Sequence, residues 1–288
     1  MALKNNKLPP PAPTFNRGNA YVSKNPVTRV PGPAVDWKEV LNEVYYPDDY
    51  LILDFETYFD DKYSLKKPEW SIIEYIQDQK FEILGMAYWE SEQMRGGFAR
   101  GEQEVTDCLF ELQTHYGPKF DDVTVVAHNA MFDMGILAYQ FDMYPQYVID
   151  VLGLARHWNP RNKNDLESLV KRFKLKTQKG DTGQFKGWTN RRRWGTLKFK
   201  GLLPKPPVQL HKMVYEDWPV LAKYAEDDVK IERELFEILL PKLSNPVMEL
   251  AAMQHTLKMY TQPCLMVNYD RAGDLKIQME KEIDRVIK

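Results

Sequence analysis

Apolar side chains alternate with polar ones in several short segments and recur every three to four residues in longer ones, which predicts strands interleaved with helices. Tyr50–Thr57, reading YLILDFET, is the strongest strand signal. Phe81–Trp89 and Gln93–Ala99, joined by a turn at Glu90–Glu92, extend it into an antiparallel meander. Glu102–Tyr116 reads as a helix, and the β-branched run Val123–His128 leads directly into another at Ala130–Gln140. A short strand at Val148–Val151 precedes a helix at Leu152–Trp158. Asp165–Phe173 has a cap-like start and helical spacing at Leu166, Leu169, Val170 and Phe173. Periodicity then vanishes from Lys174 to about His211, where Gly, Pro, Lys, Arg and Trp dominate. A stretch of that length without a period is expected to be a functional insertion or large loop. A long helix follows from Trp218 to Leu240, with Asp217 as its cap and Pro219 in its first turn. Asn245-Pro246 starts another, and Arg271–Lys288 is helical in pattern and stops without a capping signal, as a fragment of a longer chain would.

Strands alternating with helices predict an α/β class, a mixed β-sheet flanked by helices. The first 35 residues, with seven prolines and no period, form a flexible N-terminal arm, and helices close the C-terminal end. The expected division is an arm over 1–36, a main domain over 37–243 and a helical segment over 244–288. With 43% hydrophobic and 28% charged residues, fibrous and wholly disordered classes are excluded. Apolar runs such as Ile83–Trp89 fall far short of the roughly 18 residues a membrane helix needs. Pro9, Pro10, Pro11 and Pro13 break any signal-peptide core. Two cysteines, Cys108 and Cys264, make neither a disulfide framework nor a zinc cluster, so a cytoplasmic protein with no membrane partner is expected.

The net charge of −2 conceals strong polarisation. Residues 1–35 carry five basic residues and no acid, and residues 163–212 carry fourteen basic residues against three acids. The remainder is strongly acidic. A basic segment of this kind is expected to meet a polyanion.

Some of the acids stand where acids are costly. In Tyr50–Thr57, Asp54 and Glu56 share a face with Ile52, in a strand apolar enough on both sides to lie at the centre of a covered sheet. In the long helix Leu221, Tyr224, Asp228, Ile231 and Leu235 follow three- and four-residue steps, which puts Asp228 on the core-facing stripe one turn after Tyr224. Asn129 and Asp133 are four apart where a helix leaves a central strand, the crevice in which α/β folds bind ligands. Each acid taken alone is equally explained by pairing with a lysine or by capping. As an ordered set they predict an oxygen-rich site for Mg²⁺ or Mn²⁺, and two such ions would serve phosphodiester hydrolysis, with Tyr224 placed to hold water.

LDFET (Asp54, Glu56), HNAMFD (Asn129, Asp133) and YAEDD (Tyr224, Asp228), in that order, resemble the three motifs of the DEDD 3′–5′ exonucleases, and the tyrosine marks the DEDDy branch. The wider sequence, including LDFETYFDDKYSLKK, EYIQD, KFEILG, VVAHNAMFDMGIL, DVLGLAR and HTLKMYTQPCLMVNYDRAGDL, is similar to bacteriophage-type family A (DNA polymerase I-like) polymerases over residues 48–288. The resemblance implies a ribonuclease H-like fold. It implies that Asp54, Glu56 and Asp228 hold the catalytic metal, that Asp133 reaches the second ion, and that Tyr224 orients the attacking water. Thr57, Asn129 and Phe132 match positions that contact the terminal nucleotide. It further implies proofreading on a single-stranded DNA 3′ end, a polymerase domain in the same or a partner chain, and the cytoplasm of a bacterial host. No polymerase palm signature resembling DYSQIE is found. His128 is expected to make a structural hydrogen bond, and Asp227, turned about 100° from Asp228, is expected to be solvated.

Within the basic segment Arg191, Arg192 and Arg193 alternate with Trp188 and Trp194 among further Lys and Phe residues. Cations interleaved with aromatics can track a strand's backbone while stacking its bases, and Lys163 is a further phosphate contact. Packing against a polymerase domain would use the same residues. An RNA-trimming DEDDy exoribonuclease and a non-catalytic replisome docking module are the competing expectations for the whole chain.

Overall fold

In the computed structural model, residues 36–189, 194–195, 208–209, 218–263 and 268–287 are described. Strand β1 (Tyr50–Thr57) is the middle of a five-stranded sheet that also holds β2 (Ile83–Glu90), β3 (Arg95–Arg100), β4 (Thr124–Ala127) and β5 (Tyr147–Asp150), in the order β3-β2-β1-β4-β5. The pairs β1–β2 and β2–β3 are antiparallel, as the short connections of a meander require. The pairs β1–β4 and β4–β5 are parallel, each reached by a helical crossover. This mixed sheet flanked by helices is the α/β, ribonuclease H-like arrangement anticipated from the sequence.

The sheet is covered on both faces. Leu51, Leu53 and Phe55 pack on α2 (Ile72–Gln77), α3 (Gly101–Tyr116) and α4 (Met131–Phe141). Ile52, Val126 and Ile149 face α5 (Val151–Trp158), α6 (Leu166–Phe173) and α7 (Trp218–Leu239). Fully burying one such aliphatic side chain contributes about 1.5–3 kcal/mol. That double cover explains why β1 lacks a plain in–out alternation, and why its two acids stand out against it.

Two short helices escape the periodicity. One is α1 (Trp37–Glu43), started by Asp36, whose side chain accepts a hydrogen bond from the N–H of Lys38. Its Trp37 ring meets Tyr50 edge-on at 5.1 Å. The other is α2, which opens on a complete capping box between Ser71 and Glu74.

Helix α8 (Pro246–Thr261) is capped by Asn245, whose side chain accepts from the N–H of Met248. It docks on the sheet's β5 edge, where Gln254 Oε1 accepts from the N–H of Val148 at 2.8 Å. Tyr139 of α4 donates to the carbonyl of Tyr260 at 2.8 Å. Helix α9 (Tyr269–Ile287) follows.

The start of the aperiodic stretch is packed. Asp181 caps a 3₁₀ turn at Thr182–Phe185, and Gly187, at φ +77°, donates to the carbonyl of Phe59 at 2.8 Å. Beyond it, β6 (Trp194–Gly195) and β7 (Val208–Gln209) pair antiparallel. No described helix is long and apolar enough to cross a membrane.

Candidate metal centre

Three elements bring acids to the C-terminal end of the central strands. Residues two apart on a strand share a face, so Asp54 and Glu56 project together from β1, with Phe55 between them pointing into the opposite core layer. The stripe on α7 turns Asp228 inward to 2% exposure, one turn beyond the buried Tyr224. One carboxylate oxygen from each of Asp54, Glu56 and Asp228 lies within 4.8 Å of the others. Asp133, in the first turn of α4 and 3% exposed, joins them by accepting a hydrogen bond from the N–H of Phe55 at 3.1 Å.

The turn from β4 into α4 is fixed by Asp150. Its Oδ1 accepts from the N–H groups of Asn129 at 2.9 Å, Ala130 at 3.3 Å and Leu152 at 2.9 Å. Asn129 consequently sits in the left-handed region, at φ +61°, just before the helix begins. Both Asn129 and the half-buried Phe132 line a cleft of about 800 Å³ whose floor is the acid cluster. Exposed Lys163 lines the same cleft from the loop before α6. Thr57 ends β1 with its hydroxyl 3.1 Å from that of Tyr75, which donates to the carbonyl of Tyr58 at 2.5 Å. His128 donates through Nε2 to the carbonyl of Asn164 at 3.0 Å, the structural bond expected of it. Asp227 points away from Asp228 and pairs with Lys223 at 2.5 Å and Lys230 at 3.2 Å, so it is ion-paired rather than free in solvent.

Crowded buried carboxylates resist ionisation. Burial, and then the charge of Asp228, push the Asp54 carboxyl up to about 7. Burial raises Glu56 well above its ordinary range, with Asp54 adding to the effect, and raises Asp133 likewise, again helped by Asp54. Asp228 is raised by burial against the opposing pull of Lys179. The Tyr224 hydroxyl is held far above its usual value by burial and the nearby Glu56, so it stays protonated and able to donate.

Two side chains were not anticipated here. Lys179, in the loop after α6, ion-pairs with Asp228 and donates to the Tyr224 hydroxyl, its Nζ lying 4.2 Å from the centre of the Tyr224 ring. It stood in an aperiodic stretch, where spacing carries no directional information. Glu232, 2% exposed, lies one turn beyond Asp228 on the same stripe and lines the cleft. That position was legible from the i, i+4 spacing, but the flanking Ile231 and Leu235 account for the stripe without it.

Among the described residues, Asp228 Oδ1 and Glu232 Oε2 are buried without a hydrogen-bond partner. Orphaned buried oxygens, three converging carboxylates and an ammonium drawn onto one of them all fit a hard divalent cation. Asp54, Glu56 and Asp228 could hold it, with Asp133 at its side.

The basic segment is placed only in part. Arg191, Arg192 and Arg193 lie outside the described residues, as does the side chain of Trp194 in β6. Trp188, expected to contact a strand, is 5% exposed and packs edge-on against Phe185 at 4.9 Å, so its ring is core and is not free to stack on a base.

Residues 106–244 match the 3′–5′ exonuclease family model. The exonuclease match takes in Asp133, Tyr224 and Asp228 and begins after β1, leaving Asp54 and Glu56 outside it. A comparison with curated protein sequences finds no match. Among solved structures the chain is similar to the catalytic core of RRP6 from Trypanosoma brucei, at 16% identity and a TM-score of 0.44, covering 82% of this chain and 53% of that one. It is also similar to RNase D from Trypanosoma brucei, at 14% identity and a TM-score of 0.49, covering 81% and 72%. The chain thus spans about half the length of the RRP6 core.

Proposed function

We propose that this chain is a metal-dependent 3′–5′ exonuclease that removes nucleotides from single-stranded DNA ends, as the proofreading part of a family A replicative polymerase. The observation that carries the hydrolytic reading is the approach of Asp54, Glu56 and Asp228 to within 4.8 Å of one another, in a span that overlaps the exonuclease match. The choice of DNA rests on the resemblance of residues 48–288 to the polymerase family.

Two bound Mg²⁺ or Mn²⁺ ions would supply an activated water and stabilise the leaving oxygen. The protein's own groups do the rest. Asp54, Glu56 and Asp228 would hold the ions, and Asp133 would assist while anchored to β1. Tyr224, protonated and pointed at the acids, donates to and orients the water. Asn129 and Phe132 grip the terminal nucleotide from the mouth of the cleft, with Lys163 on a phosphate. Arg191, Arg192 and Arg193, outside the described residues, are proposed as further phosphate contacts.

The test incubates the full chain with Mg²⁺ and end-labelled single-stranded DNA and RNA, beside a D54A/E56A control. Release of nucleoside 5′-monophosphates from DNA 3′ ends, abolished in the control, is expected. Activity that survives the double substitution, or that starts at 5′ ends, would remove the metal-centre assignment. RNA degraded far faster than DNA would replace proofreading with RNA trimming.

A further inference from the structure

Lys179 is the one described basic residue that contacts both Asp228 and Tyr224. Its side chain is only 18% exposed, and Asp228 beside it is 3% exposed, so the pair is largely withdrawn from water. Its place is prepared by its neighbours. Gly180 lies so close to Tyr224 that a β-carbon there would come within 2.8 Å of the ring. Phe185 meets the same ring edge-on at 5.0 Å, and Asp181 fixes the intervening 3₁₀ turn by accepting from Gly183 at 2.8 Å. The loop is therefore seated, and the four-carbon stem of Lys179 is delivered over the tyrosine face onto the carboxylate.

We propose that Lys179 is a tethered counter-cation of the metal centre, which pairs with Asp228 when no divalent ion is bound and must be displaced from it for one to bind. The inference rests on the metal-centre reading above. A single ammonium engages one oxygen of one carboxylate, which leaves Asp228 Oδ1 without a partner among the described residues while Oδ2 is engaged. A divalent ion brings twice the charge and can take both β1 acids and Asp228 at once. Like charges held this close repel strongly in a site withdrawn from water, so ammonium and ion do not share the Asp228 carboxylate. Lys179 consequently lowers the ion affinity of the site and keeps the ion-free cluster folded.

The test measures Mn²⁺ affinity by calorimetry, and by electron paramagnetic resonance of free Mn²⁺, on the full chain and on K179M, K179Q and K179R, with circular dichroism reporting the fold. K179M and K179Q are expected to bind Mn²⁺ at least about tenfold more tightly, and K179R to stay near wild type. The rise in melting temperature on adding Mn²⁺ should be larger in the two neutral variants. Folded neutral variants with wild-type or weaker Mn²⁺ affinity would overturn the counter-cation role while leaving the metal centre intact. No Mn²⁺ binding by any of the four proteins would overturn both.

Discussion

The Asp133 carboxylate accepts a hydrogen bond from the backbone N–H of Phe55, the residue that separates Asp54 from Glu56. One side chain thus does two jobs: it adds charge to the cluster and fixes the β1 backbone that aims the other acids. The jobs separate by substitution. D133N keeps a carbonyl oxygen for the Phe55 N–H, so its unfolding free energy should stay within about 1 kcal/mol of wild type while nuclease activity falls at least ~10²-fold. D133A should lose the activity and also about 1–3 kcal/mol, because a buried N–H is left unpaired. Denaturant titration beside a nuclease assay distinguishes them, and equal stability losses in the two variants would show that the hydrogen bond does not hold the strand.

The raised acids give the metal-free protein an unusual pH dependence. Asp54 has an ordinary value of 3.8 and is pushed up to about 7 in the folded chain, so the folded state holds its proton more tightly than the unfolded state does. The stability this provides is present below pH ~4 and is lost as pH rises to about 7. In chelator, wild type should therefore weaken between about pH 4 and pH 7, and D54N should escape part of that loss, gaining on wild type by on the order of 2 kcal/mol at pH 8. Added Mg²⁺ should reverse the ranking at pH 8. Melting curves of both proteins across that range check it, and parallel curves would mean that Asp54 titrates normally in the fold.

The cluster, its order along the chain and the inward turn of Asp228 were all legible from local spacing, since strand and helix periods fix which residues share a face. So was the sheet, whose strands begin and end within two residues of their expected bounds. What escaped has a common physical origin. Helices α1 and α2 are seven and six residues long, too short for a period to emerge, although the Ser71–Glu74 capping box announces the second. Lys179 and Trp188 lie where no period exists, and only tertiary contact turns one toward Asp228 and the other into the core. Alternating cations and aromatics describe a composition. They do not say which ring faces water.

Gly180 makes a sharp test of how Tyr224 is held. A β-carbon at this position would meet Tyr224 Cδ2 at 2.8 Å, so G180A must push the ring or the loop. Because this loop presses on the Tyr224 ring, a small tilt would shift its hydroxyl from the place proposed for orienting the water. If the ring moves and the loop stays, G180A should lower kcat about 10-fold or more with little change in Mn²⁺ affinity, approaching Y224F, which removes the hydroxyl alone. Steady-state kinetics beside Mn²⁺ calorimetry provide the check. A G180A enzyme with unchanged kcat would mean that the loop yields and the ring does not move.

Glu232 poses the opposite question, because the pull of Lys179 is outweighed by burial and three neighbouring acids. Its Oε2 is buried without a hydrogen-bond partner, and burial together with Asp54, Asp133 and Asp228 raises its carboxyl well above the ordinary range. A proton held this way costs stability wherever pH exceeds the ordinary carboxyl value, since the unfolded chain ionises freely there. E232Q removes that cost at nearly the same volume. It should therefore stabilise the metal-free protein at pH 8 by about 1–3 kcal/mol, an unusual sign for a substitution in a covered layer. If Glu232 serves only as bulk behind Asp228, activity with Mg²⁺ should be kept. If its carboxylate helps to fix an ion, E232Q should gain stability in chelator and lose Mn²⁺ affinity together. Unchanged stability in chelator would mean that Oε2 finds a partner in solution, and the buried charge would no longer need a metal to explain it.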